Sequence, residues 1–404
     1  MRRNALLLAL ALACSVLASC LEPADQRQTA TTQPSLSDCA KRATATGSTG
    51  SACTCAPCDG DDVCTKVGRC GKVVDASAQP AKVMLALDRS GSMKTTPESD
   101  QQWGCAVDAS GNGYDPAGSC KWNQLKELVA GPGGMLEQGA AQARFGLVVF
   151  PAANLGDACG VGRVEVPIPS APGQSSSAIA STLQSAVPGG GTPSAATLRE
   201  LTFDSSFGKA DASRYVVLVT DGLPNCNASN SACQACTNGG DPTRMCGDVR
   251  NCLDDQALVS SVSILNSRGI DTFVVGFGAA MASLEAATVL DAAAVAGGRA
   301  LEGERRYYQA GSAAELETIL STIGNHLQPC IYELSPRPRD PEQLQILMTD
   351  QETAGAELLV RGTDWDFADD RQYDYVEVKG ERCEAIQAAE SCHYSLEFLA
   401  LTAP

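Results

Sequence analysis

A chain of 404 residues has room for two or three domains, one of them with a large core. Its formal net charge of -17 and pI near 4.6 repel phosphate backbones, which argues against nucleic acid as a partner and otherwise serves solubility. Only His326 and His393 supply imidazole, neither neighbours a plausible catalytic nucleophile, and no His-Glu-x-x-His occurs, so no hydrolytic centre is legible.

In residues 1–19, Arg2 and Arg3 precede an apolar run that ends in Leu17-Ala18-Ser19-Cys20. This pattern reads as a secretory signal, too short for a membrane span. Its last four residues resemble the bacterial lipobox, whose cysteine becomes the lipidated first residue of the mature chain. The resemblance implies a bacterial envelope protein anchored through lipid on Cys20, touching the membrane by that anchor only. Leu21 in the next position favours the outer membrane by resemblance to enteric lipoprotein sorting.

Nineteen cysteines agree with export; Cys14 leaves with the signal and Cys20 is taken by lipid, so 17 remain, mostly for disulfides. Residues 20–38 are rich in Thr, Gln, Ser and Pro and predict a flexible tether. Residues 39–75 then carry Cys39, Cys53, Cys55, Cys58, Cys64 and Cys70 with few core formers. They predict a disulfide module, with zinc ligation by the Cys53-x-Cys55-x-x-Cys58 cluster as the lesser alternative.

Residues 83–87 are an unbroken apolar run of the kind buried on both faces of a parallel sheet, and Asp88-x-Ser90-x-Ser92 follows at once. Alternate residues of an extended loop project the same way, so one carboxylate and two hydroxyls converge at the C-terminal edge of the strand, where open α/β sheets bind ligands. Hard oxygens suit Mg²⁺, Mn²⁺ or Ca²⁺, although Asp, Ser and Gly also build ordinary loops. Leu125, Leu128, Val129 and Leu136 mark a helix, residues 145–150 a second buried strand and residues 164–168 an edge strand. After a helix on Ile179, Leu183 and Val187 comes Gly189-Gly190-Gly191-Thr192-Pro193, in which Thr192 is placed as a helix N-cap. Residues 215–220 form another buried strand, and it too stops at a carboxylate, Asp221.

Asp88-x-Ser90-x-Ser92, Thr192 in a Gly-rich turn and Asp221-Gly222 after a strand together resemble the von Willebrand factor A (vWA) domain with its metal-ion-dependent adhesion site. The resemblance covers residues 81–327. It implies a doubly wound, mostly parallel sheet flanked by helices, and a divalent cation, Mg²⁺ foremost, bound directly by Ser90 and Ser92. By the same resemblance Thr192 binds directly or through water, and Asp88 and Asp221 act mainly through water or hydrogen bonds. Strand and helix patterns alternating from residue 256 to 323 fit that sheet independently.

Two cysteine-bearing insertions, residues 95–120 and 225–252, leave from strand ends that carry these residues. They predict a disulfide-braced rim around the cation, with Cys105, Cys120, Cys159, Cys226 and Cys252 in it and Arg89 reaching either to a local charge or to the partner. Simple stapling of long loops is the alternative. The odd thiol falls among Cys330, Cys383 and Cys392. Residues 329–404 read as a β-rich extension whose Trp365-Asp-Phe367 is core or, alternatively, an exposed anchor. The expected function is non-catalytic capture of a protein offering an Asp or Glu carboxylate; a structural role for the metal and metal-dependent hydrolysis are the alternatives.

Overall fold

The computed structural model describes residues 63–64, 69–152, 157–227, 236, 251–368, 372–389 and 393–401. The signal, Cys20, the tether, Cys39, Cys53, Cys55, Cys58, Cys233, Cys246 and Cys392 lie outside the described residues. Gln79–Pro329 form one compact unit, and the described residues on either side of it form another.

The chain opens with β1 (Val63–Cys64) and β2 (Cys70–Ala78), then enters the first unit on β3 (Ala81–Asp88). A small antiparallel pair follows, β4 (Thr95–Thr96) and β5 (Ser99–Trp103), and then the helices α1 (Lys121–Ala130) and α2 (Met135–Gln138). Next come β6 (Ala143–Phe150), β7 (Arg163–Val166), α3 (Ser176–Ser185), α4 (Ser194–Leu201) and β8 (Arg214–Thr220). The unit finishes with α5 (Asp255–Ser267), β9 (Asp271–Phe277), α6 (Leu284–Ala296), β10 (Tyr308–Ala310) and α7 (Ala313–Asn325).

Six of these strands form a mixed sheet in the order β10-β9-β8-β3-β6-β7, parallel throughout except for the antiparallel edge strand β7. All eight residues of β3 are buried, because helices cover both faces of the sheet. On one face Val83, Leu85 and Leu87 pack with Trp122 and Leu125 of α1, Ile179 of α3 and Leu316 of α7. On the other, Met84 and Ala86 pack with Leu198 of α4, Leu258 of α5 and Leu290 of α6. Burying each such side chain contributes about 1.5–3 kcal/mol, which explains why an unbroken apolar run is needed here and an alternating one would not do. The strand ends at Asp88, where polar groups, themselves buried, take over from the apolar run.

The second unit continues with β11 (Ile331–Ser335), β12 (Leu344–Asp350), β13 (Ala356–Leu359), β14 (Trp365–Phe367) and β15 (Tyr375–Val378). After them come α8 (Gly380–Ala388) and β16 (Tyr394–Leu401). Its antiparallel sheet runs β13-β12-β16-β2-β11-β15-β14, with β1 paired to β2. Residues 70–75, grouped by the sequence with the cysteine-rich module, thus lie in a central strand of this sheet, and α8 stands among what reads as strands alone. Trp365 and Phe367 are buried in this unit's core, which selects the core reading of that motif over the exposed anchor. Cys330 is bonded to Cys383, tying the start of β11 to α8. No helix among the described residues is long and apolar enough to cross a membrane.

Candidate metal-binding site

Two loops leave the C-terminal edge of the parallel sheet, after β3 and β8, and a third, the turn between α3 and α4, is hydrogen-bonded beside them. The first follows β3. Its Asp88 is fully buried, takes the backbone N–H of Ser90 on Oδ1 at 2.7 Å and takes the hydroxyl of Thr220 on Oδ2 at 2.6 Å. Burial pushes the Asp88 carboxyl up to about 7, the neighbouring charge of Asp221 adds to the rise, and the hydrogen bonds from Thr220 and Ser90 oppose it. The loop then turns through a short 3₁₀ segment, Gly91–Lys94, and Ser90 and Ser92 bring their Oγ atoms to 3.0 Å from each other.

The second loop follows β8. Ser92 Oγ donates to Asp221 Oδ1 at 2.8 Å, and Ser90 Oγ approaches the same oxygen at 3.4 Å. The other oxygen, Oδ2, lies 2.7 Å from Nζ of Lys121, and both side chains are shut off from solvent. The contact is an ion pair, because opposite charges this close and this buried attract strongly. Burial alone would lower the Lys121 pKa, but the carboxylates of Asp221 and Asp100 outweigh it and hold the ammonium above its ordinary value.

The third loop is the glycine-rich turn. Thr192 does not cap α4: the cap position is Pro193, the helix starts at Ser194 and no side chain caps it. The hydroxyl of Thr192 instead faces the second loop, since a Cβ built on Gly222 would stand 3.3 Å from Thr192 Oγ1 and 3.9 Å from Ser92 Oγ. The backbone joins the loops independently of these side chains. Gly91 donates to Gly190 O at 3.0 Å, Gly189 to Arg89 O at 2.7 Å and Gly191 to Ala158 O at 2.7 Å. Thr192 N–H donates to Asn225 Oδ1 at 2.6 Å while Asn225 N–H donates to Thr192 O at 3.0 Å. A disulfide between Cys159 and Cys226 braces the same place.

The structure therefore brings Asp88, Ser90, Ser92, Thr192 and Asp221 to one edge, but it redistributes the expected rim. Arg89 does not reach outward: only 6% exposed, it donates through Nε to Pro151 O at 2.8 Å and through NH1 to Val187 O. Its hydrogen-bond acceptors are carbonyls and the charges of Glu165 and Asp88 lie near it, so it holds the loop after β3 against the turn before Gly189. Cys105 and Cys120, bonded to each other, are buried in the core with Trp122 and Leu125 and form no part of an exposed rim. Cys252 is likewise buried and disulfide-bonded, whereas Cys159 and Cys226 remain partly exposed.

Thr220, Asn225 and Lys121 join the five expected residues at this edge. Thr220 was detectable as the last residue of a strand whose next residue is Asp221. Lys121 carried no such signal, because its partner lies 100 positions away in the chain.

These residues fit a hard divalent cation. Ser90, Ser92, Thr192, Asp88 and Asp221 offer hydroxyl and carboxylate oxygens, and Gly222 leaves open the space between Thr192 and Ser92 that a side chain would fill.

No family model and no curated protein sequence matches the chain. Among solved structures, the PilB minor pilin from Streptococcus sanguinis is similar at 18% identity over 62% of this chain and 62% of that one, with a TM-score of 0.43. The pilus adhesin SpaC from Lactobacillus rhamnosus GG is similar at 14% identity over 80% and 39%, with a TM-score of 0.42. Proximal thread matrix protein 1 of the mussel byssus, in a structure with a zinc-occupied MIDAS motif, is similar at 14% identity over 62% and 47%, with a TM-score of 0.37. The chain spans less than two thirds of each of these proteins.

Proposed function

We propose that this chain is a non-catalytic binding protein of the bacterial envelope, of the vWA kind, anchored by lipid on Cys20, which captures a carboxylate-bearing protein through a divalent cation. The observation that carries the reading is the convergence of Ser90, Ser92, Thr192, Asp88 and Asp221 from three loops on one set of oxygens beside Gly222. The hydroxyls of Ser90, Ser92 and Thr192 would hold the ion, with Asp88 and Asp221 supporting them. Bound there, Mg²⁺ would supply a localised positive charge for an Asp or Glu side chain of the partner.

The loops' own bonding favours ligand capture over a purely structural ion. Backbone hydrogen bonds, the Thr192–Asn225 pair and the Cys159–Cys226 disulfide already tie the three loops together. An ion is not needed for that task, so its charge is free for an outside carboxylate. Hydrolysis would need a general base with access to the cradle, and Asp88 is fully buried and occupied by Ser90 and Thr220.

The test is capture from envelope extracts with wild type, Asp88→Ala and Ser92→Ala proteins. Capture by the wild type should vanish with EDTA and return with Mg²⁺. Equal capture by all three proteins would remove the cation from the binding mechanism.

A further inference from the structure

We infer that Lys121 is a built-in countercharge of the cation cradle, a positioning residue that sets how strongly the cradle holds a divalent ion. This inference rests on the reading of the three loops as a cation site and adds a residue outside the five-residue pattern.

Lys121 is the first residue of α1, reached after the insertion that carries β4 and β5. Its side chain is wholly buried, and Nζ sits between Asp221 Oδ2 at 2.7 Å and Asp100 Oδ1 at 2.5 Å. Asp100 belongs to β5, is partly exposed, and is fixed from its other side by the N–H of Ala280, which donates to Oδ2 at 2.8 Å. Gly278, with φ +113, lets the backbone after β9 come close to the ammonium: a Cβ there would lie 3.1 Å from Lys121 Cδ and 3.2 Å from Nζ. An ammonium this enclosed persists only when paired, and two carboxylates pair it.

The consequence lies in Asp221. One oxygen faces the hydroxyls of Ser90 and Ser92 and the other faces Lys121. Any cation held by those hydroxyls and Asp221 therefore shares a single carboxylate with a fixed positive charge, inside a poorly polarisable interior where charges are felt strongly. Lys121 lowers the negative potential of the cradle, and Asp100 restores part of it. The balance keeps Asp221 correctly oriented without a bound ion and keeps the ion's affinity moderate.

The two variants should act in opposite directions. Mn²⁺ is titrated into the full chain, with free Mn²⁺ read by electron paramagnetic resonance and folding checked by near-ultraviolet circular dichroism. Lys121→Gln, which keeps a hydrogen-bond donor and loses the charge, is expected to bind Mn²⁺ at least tenfold more tightly than wild type. Asp100→Asn, which strips the ammonium of its second carboxylate, is expected to bind at least threefold more weakly. Weaker binding by both, or no change in either, overturns the countercharge. If Lys121→Gln does not fold, Asp100→Asn alone decides, and equal or tighter binding by it is the overturning result. Ser92→Ala separates the two levels of the argument. Loss of Mn²⁺ binding in Ser92→Ala with no effect of Lys121→Gln or Asp100→Asn refutes this inference alone. Binding untouched by Ser92→Ala refutes the cation site and the inference with it.

Discussion

Lys121 Nζ lies 2.7 Å from Asp221 Oδ2, with neither side chain reaching solvent. Opening a buried pair of this kind leaves an uncompensated charge, so Lys121→Met should destabilise the cation-free protein by about 3–5 kcal/mol. Urea unfolding in EDTA measures it. A loss no larger than that of a surface Lys→Met change would mean that water reaches Asp221 easily, contrary to its burial.

Asp88 gives the site a pH dependence whose sign is fixed. Its folded-state carboxyl titrates at about 7, above the ordinary carboxylate range, so between roughly pH 4 and 7 the folded protein holds a proton that the unfolded chain has released. The associated stability is complete at low pH and is lost as pH rises through 7. In EDTA the melting temperature should fall between pH 5 and 8, and Asp88→Asn should flatten that fall. Identical slopes for the two proteins would show that another group is responsible.

Gly222 is where a single methyl tests the cradle. Added there, it would stand 3.3 Å from Thr192 Oγ1, tight enough to push that hydroxyl aside without disturbing a buried core. Gly222→Ala should cost about 1 kcal/mol of stability or less, yet weaken Mn²⁺ binding by about tenfold, since mild overpacking is tolerated where loops can yield. Calorimetric titration beside a thermal melt distinguishes this from general misfolding; intact affinity would place the ion elsewhere.

Cys159 and Cys226 are 67 positions apart and close the loop that contains the glycine-rich turn and Thr192. Replacing both with Ser should destabilise the protein by about 4.4 kcal/mol on a chain-entropy estimate. Hydrogen exchange of the Gly190, Gly191 and Thr192 amides should quicken as well. Unchanged exchange there would show that the hydrogen bonds of Gly91 and Asn225 suffice to hold the turn.

The α/β core was legible because both faces of its strands must be apolar, and runs such as residues 83–87 and 215–219 allow few other folds. The five oxygen-bearing residues were legible because three of them sit in one short loop and the others directly follow buried strands or glycines. Lys121 and Asp100 were not, since nothing local marks a lysine that will be buried by a hairpin and a distant carboxylate. Thr192 looked like a cap because Thr-Pro commonly starts a helix; here the helix starts one residue past Pro193, and the hydroxyl turns to the cradle instead. The strand Cys70–Ala78 was hidden by its surroundings. Its cysteine and the glycine after it resemble the loop-rich stretch before it, and its partners, Ile331–Ser335 and Tyr394–Leu401, lie more than 250 residues further on.

That pairing has a mechanical consequence. Ala78 in β2 is the register partner of Tyr332 in β11, so the α/β unit begins and ends on adjacent strands of one sheet. A force applied to the α/β unit would pull on both of its chain ends at once. The tension would divide between two backbone connections, each entering a strand hydrogen-bonded to its neighbours on both sides. A domain strung on a single linker has one point of failure; a domain inserted in this way has two, loaded in parallel.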